Sequence, residues 1–219
     1  MVLTDPDWRR RGLASRLMEK LMLEIKIAKR EACLDATPAG EAVYRDLGFS
    51  GSVKLARWVI PAVKPLNQQP PDSINLQPIA PSQLSEVAAW DAEHTGWNRS
   101  ALLQFLLQEA PTLAFMARDS AGQLQGLCLG RPGSRINHIG PIVATDCNIA
   151  VALAARSLAQ SHTTAFVDAF EAQSTFTHFL ANWGGKRERP FLRMSQNEND
   201  ELSQSDNPFT FASAGPELG

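Results

Sequence analysis

The sequence predicts an α/β protein built from more than one unit. Three observations carry that reading. Apolar residues recur at helical spacing between short apolar runs, and glycines stand where those helical patterns stop. Two similar short runs, "ACLDA" (32–36) and "AFVDA" (165–169), each follow a helical pattern and precede a shorter one. A proline-rich segment lies between them.

The elements follow in order. "MVLT" reads as the end of a strand, broken by Asp5-Pro6-Asp7. From Gly12 to about Lys29, Leu13, Ala14, Leu17, Met18, Leu21, Met22, Ile25 and Ala28 mark one helix face. "ACLDA" is a short buried strand, and Pro38 opens a helix that stops at Gly48. Phe49 to Ile60 reads as paired strands around Gly51. Residues 61–73, with four prolines in thirteen residues, form a semi-rigid linker. Beyond it, "INLQPI" is a strand, and helices run over Ser82–His94 and Asn98–Ala110, with Asn98 as N-cap. A hairpin turns at Ala121-Gly122, and "INHIGPIVA" is a strand. A helix over Ile149–Gln160, the strand "TAFVDAF" and a helix over Thr175–Trp183 follow, and "RPFLRM" and "FTFAS" finish as strands. The polar stretch 195–207 carries no packing pattern. The units are therefore 1–60, the linker 61–73, and 74–219.

Composition narrows the classes of function. The apolar fraction is 44% and the charged fraction 20%, ordinary for a globular protein. Residues 1–60 carry a net +3 and the rest a net −5, too mild an asymmetry for nucleic-acid binding. No apolar run reaches the roughly 18–20 residues that span a bilayer. Three cysteines without CxxC spacing suit a reduced, cytoplasmic setting, and no histidine–cysteine spacing suggests a metal. Asp35 and Asp168, at equivalent strand ends, read as caps of the following turns, with orientation of an amine as the alternative for Asp35. His138 reads as a structural histidine, and Trp90 and Trp97 as core.

The densest positive cluster, Arg9, Arg10 and Arg11, abuts Gly12 at the start of the first helix. Small residues at a helix start let unpaired backbone N–H groups converge, the helix dipole adds positive charge, and arginines add bidentate donors. That assembly suits a pyrophosphate. A solvated charge run beside an ordinary turn would look the same.

Arg9-x-x-Gly12-x-Ala14, after a strand and before an amphipathic helix, resembles the acyl-CoA loop of the GNAT superfamily of N-acetyltransferases. "DATPAGEAVYRDLGF" (35–49) is similar to that family's late motif, a helix with a tyrosine four residues before Gly-Phe; Tyr44 fills the place and is the only tyrosine. Residues 74–219 resemble the C-terminal GNAT-like domain of tandem members, through "GRPGSR", "HIGPIVA", "RPFLRM" and "AGPELG". The resemblance implies a GNAT-like mixed sheet flanked by helices, a partial first domain and a complete second one. It implies acetyl-CoA as co-substrate, without a metal, and a small-molecule primary amine as acceptor.

By the same resemblance, Val2, Leu3 and Thr4 would hold the pantetheine arm by their backbone. Arg9, Arg10, Arg11, Gly12, Leu13 and Ala14 would hold the pyrophosphate, and Tyr44 would be the general acid that protonates the leaving thiolate. The second unit lacks these features: "TDCNIA" (145–150) stands in place of the loop and Leu180 in place of the tyrosine. A GNAT domain has about half its length ahead of the cofactor strand, and that half is not present before Met1. The expectation is a weak or inactive transferase whose stability rests on 74–219. Its first unit would dock on the second or pair with another chain as a homodimer through an exposed strand edge. The alternative is a truncated, non-catalytic CoA- or ligand-binding protein.

Overall fold

The computed structural model describes residues 4–62, 69–133, 135–196, 207–216 and 218. Six helices and nine strands are present among them, all nine strands in one sheet. The first run holds α1 (Leu13–Ile27), β1 (Cys33–Ala36), α2 (Pro38–Asp46) and β2 (Ser50–Ile60). After the linker come β3 (Ile74–Pro78), α3 (Leu84–Thr95), α4 (Ser100–Glu109), β4 (Phe115–Asp119), β5 (Leu124–Arg131) and β6 (Asn137–Ala144). The chain ends with α5 (Cys147–Ser161), β7 (Ala165–Phe170), α6 (Ser174–Asn182), β8 (Lys186–Ser195) and β9 (Thr210–Ala212). This bears out the mixed α/β fold with helices on the sheet. Residues 1–3 of the predicted N-terminal strand, 63–68 of the linker and 197–206 of the polar stretch lie outside the described residues.

The run α1-β1-α2-β2 and the run α5-β7-α6-β8 have matching anatomy. Each opens with a 15-residue helix and has a 9-residue second helix, followed by a strand of 11 or 10 residues. Their strands are interleaved in the order β1-β8-β2-β7. β8, late in the chain, pairs on one side with β1 and on the other with β2, antiparallel to both. β2 in turn lies between β8 and β7. The sheet therefore runs without a break across the linker.

One expectation is corrected. Residues 49–60 are not two strands turning at Gly51 but a single strand, β2. The glycine serves close approach instead of a turn. The β2–β8 register shifts between Ser50 and Val53, and a Cβ on Gly51 would lie 1.9 Å from the Arg193 carbonyl oxygen. Asn98 also does not cap α4 directly. Arg99 is the N-cap, while Asn98 Oδ1 accepts from the Ser100 backbone N–H and hydroxyl.

The alternation of strand side chains sets two layers. Phe115, Ala117, Val167, Ala169 and Ile60 pack under α5 and α6, while Met116, Leu127, Leu129 and Val143 pack under α3 and α4. A third cluster joins Met18 of α1 and Phe49 to Ala36 and Met194, with Tyr44, Leu34 and Leu192 against it. The pairings Lys54–Leu192 and Asp35–Arg193 put α1 and α2 on the α5/α6 side. They put Asp35, Arg57, Asp168 and Arg193 on the α3/α4 side. Leu13, Leu17 and Leu21 line the outer face of α1 and are exposed. Among the described residues no helix is long and apolar enough to cross a membrane, and no group of three His, Cys, Asp or Glu side chains is placed to hold a metal.

Candidate functional site

The loop before α1 is built from local chemistry. The Asp5 carboxylate accepts from the Asp7 N–H at 3.0 Å, and Pro6–Trp8 make a 3-10 turn. Arg9 Nε donates to the Thr4 carbonyl at 3.2 Å, which ties the loop back to the incoming chain. Arg10 takes a φ of 60° and Gly12 one of 72°, the left-handed region that favours glycine. Arg11 lies over the Trp8 ring, 4.7 Å from its centroid.

Gly12 is the N-cap of α1, and no side chain caps that end. The first helical hydrogen bond runs from Arg16 N–H to Gly12 O, so the N–H groups of Leu13, Ala14 and Ser15 have no acceptor within the helix. A Cβ on Gly12 would meet nothing within 4 Å. The result is an open, donor-rich helix end ringed by three exposed arginines, the shape and charge an anion needs. Val2 and Leu3 lie outside the described residues.

The equivalent end of α5 is built the opposite way. Asp146 is its N-cap, and its carboxylate accepts from the Asn148 N–H at 2.7 Å. A negative charge already occupies the place where a phosphate would bind. The backbone of β6, which leads into α5, is paired with β9 through Ile142–Ala212 and Val143–Thr210. Leu180, in the position matching Tyr44, is fully buried.

Tyr44 is half-buried on α2. Its ring meets Phe49 edge-on, with centroids 6.0 Å apart, and a Cβ on Gly40 would lie 3.1 Å from it. That packing fixes the ring, while among the described residues no group hydrogen-bonds its hydroxyl. The tyrosine and the arginine loop stand on neighbouring helices that share the Met18 cluster. No hydrogen bond or ring contact joins them among the described residues.

Sequence reasoning missed the strongest electrostatic feature. Asp35 and Asp168 do not cap turns. Asp168 receives a bidentate bond from Arg57, 2.8 Å on each arm, and Asp35 one from Arg193 at 2.8 and 3.0 Å. Each pair joins the first run to the second. The arginines were legible in principle, because each stands nine residues after a helix-ending glycine, Gly48 or Gly184. His138 Nε2 also meets Asp168, at 3.1 Å, while its Nδ1 is buried without a hydrogen bond among the described residues. Burial pushes the Asp168 pKa up, but the Arg57 and His138 bonds outweigh it and hold the carboxyl at about 2. Burial pulls the His138 pKa down, against the opposing pull of Asp168. Trp97 is only half-buried, and Trp90 stacks on His94 with centroids 3.8 Å apart.

Residues 87–209 match the family model of the acetyltransferase (GNAT) domain. No curated protein matches the chain significantly in sequence. Among solved structures, a Pyrococcus horikoshii protein assigned as an acetyltransferase superposes with a TM-score of 0.74 at 16% identity, covering 99% of this chain and 69% of that one. A GCN5-related N-acetyltransferase from Sphaerobacter thermophilus gives 0.61 at 16%, covering 91% and 73%. A tandem GNAT protein from the clavulanic acid biosynthesis pathway gives 0.57 at 16%, covering 93% and 74%. At these identities the likeness is one of fold. The family match spans more than half of the residues, and the chain belongs to the GNAT acetyltransferase family.

Proposed function

We propose that the chain is an acyl-CoA-dependent N-acetyltransferase that takes a small primary amine as acceptor, with its cofactor end at Thr4 to Ala14. The observation that carries this reading is the contrast between two equivalent helix starts. α1 opens on an uncapped Gly12 among arginines, whereas α5 opens on a capping carboxylate. Acetyl-CoA, when bound, supplies a thioester whose carbonyl a neutral amine attacks, expelling a thiolate. Arg9, Arg10 and Arg11 with the first-turn amides of α1 would neutralise the phosphates, and Tyr44 would hold the proton for the thiolate.

The proposal includes two repeated units divided by the linker 61–73, of which the second is a scaffold, and a cytoplasmic setting for a chain whose three cysteines form no disulfide. The exposure of Leu13, Leu17 and Leu21 on α1 favours a second reading, a chain that binds CoA without turnover.

Titration calorimetry with acetyl-CoA tests the cofactor end. Gly12→Asp places a carboxylate in open space, in a backbone region that aspartate tolerates. We expect it to lower affinity at least tenfold, and equal affinity in the two proteins refutes the site. Tyr44→Phe separates the two readings. Transfer with kcat lowered ~10²-fold and acetyl-CoA affinity unchanged supports the general acid. Binding without any transfer by the unaltered chain leaves the second reading.

A further inference from the structure

A cavity of about 350 Å³ lies on the α3/α4 side of the sheet, behind β1 and away from α1. It is formed by both runs of the chain. Its apolar wall is Trp97, Leu102 and Leu218; its polar wall includes Arg99, Arg193 and Glu31.

The two arginines are set in a particular way. Arg99 gives Nε and one Nη to Asp91, at 2.7 and 2.8 Å, and Asp91 is fully buried. Arg193 does the same to Asp35, whose side chain is 2% exposed. Each buried carboxylate fixes its guanidinium from behind. A guanidinium carries five N–H donors, so those not spent on the carboxylate remain for a ligand oxygen. The arginines are 16% and 14% exposed and line the cavity. Fixed, planar donors of this kind suit a carboxylate. Glu31, at the exposed rim, is already engaged within the chain, but a carboxylate has about four acceptor sites and those that remain can meet an ammonium group, while the indole with the two leucines offers an apolar bed. The volume suits a small molecule, since ligand pockets run from roughly 300 to 1,000 Å³.

We infer that this cavity is a binding site for a zwitterionic, amino-acid-like molecule, its carboxylate toward Arg99 and Arg193, its amine toward Glu31 and its apolar side chain against Trp97. As a binding site it stands apart from the acetyltransferase reading above.

Ligand-observed saturation-transfer NMR on the full chain tests the site, with L-phenylalanine, phenethylamine and 3-phenylpropionate as probes. We expect phenylalanine to bind at millimolar concentration or better and each one-charge probe to bind at least tenfold more weakly. Leu102→Trp, which fills the cavity, should weaken phenylalanine at least tenfold. Asn98→Trp, at an exposed lining position, should do the same and replaces it if the first variant melts early. The inference is overturned if phenylalanine does not bind, if either one-charge probe binds equally well, or if both filling variants bind phenylalanine as the unaltered chain does. Calorimetry with acetyl-CoA separates the two readings. Phenylalanine binding without acetyl-CoA binding supports the cavity and removes the transferase, whereas acetyl-CoA binding without phenylalanine binding does the reverse.

Discussion

Arg57→Met tests whether the two runs are locked together by the pair that joins β2 to β7. Methionine keeps much of the side-chain length but removes both 2.8 Å bonds to Asp168. Asp168, 1% exposed, would keep only the His138 contact. Leaving one partner of a buried pair uncompensated costs about 3–5 kcal/mol. The depression of the Asp168 pKa from 3.8 to about 2 gives a similar scale, about 2–3 kcal/mol at 1.36 kcal/mol per unit. In a chain of this size each kcal/mol moves Tm by about 2–4 °C. The expected fall is therefore about 6–20 °C, read by circular dichroism on thermal unfolding. Arg118→Met is the control. It breaks a pair with Glu86, whose side chain is 51% exposed, and should cost under about 1 kcal/mol. If Arg57→Met melts no earlier than Arg118→Met, the buried pair is not a lock between the runs.

Gly51→Ala should destabilise the chain by about 3 kcal/mol in urea titration, because the new methyl meets backbone rather than a movable side chain; an unchanged midpoint would mean that β2 and β8 shift freely. Cys128, whose thiol burial pushes up to about 12, should resist alkylation at pH 8 in the native state, while the half-buried Cys33 and Cys147 react first; peptide mapping by mass spectrometry reads the order. Stability should fall on acidification in two stages. His138 has a folded pKa below its unfolded value near 6.5, so the unfolded chain takes up that proton first and stability is lost as pH drops below about 6.5. Asp168, also depressed, adds a second loss as pH falls from about 4 toward 2. His138→Leu should abolish the first stage and keep the second in pH-dependent urea unfolding.

Local pattern and long-range pairing differ in how far they could be read from the residues. The helices were legible because apolar spacing and terminal glycines are local properties. The spacing from Leu13 to Ile25 and the stop at Gly48 needed no knowledge of neighbours. Gly51 was misread because a glycine in a strand signals either a turn or a close approach, and only the position of Arg193 on β8 decides between them. Asp35 and Asp168 were misread for the same reason. Their arginines are 158 and 111 residues away, and nothing local distinguishes a capping carboxylate from one awaiting a distant cation. The uncapped start of α1 was visible as Gly12 beside arginines. The cavity behind β1 was not, since its walls come from Glu31, the 97–102 segment, β8 and the C-terminal end.

The interleaved order β1-β8-β2-β7 also has a consequence for synthesis. β2 leaves the ribosome with neither of its neighbours made, and the end of β8 follows 135 residues after Ile60. At about 5–20 residues per second that is roughly 7–27 s before both edges of this 11-residue strand can be covered, the β7 side first and the β8 side last. Until β7 is made, Leu55 and Ile60, fully buried in the finished sheet, have no partner strand to cover them. The nascent chain is then at its most exposed to chaperones and to neighbouring chains, and folding is completed only when the last long strand slides between two that have been waiting for it.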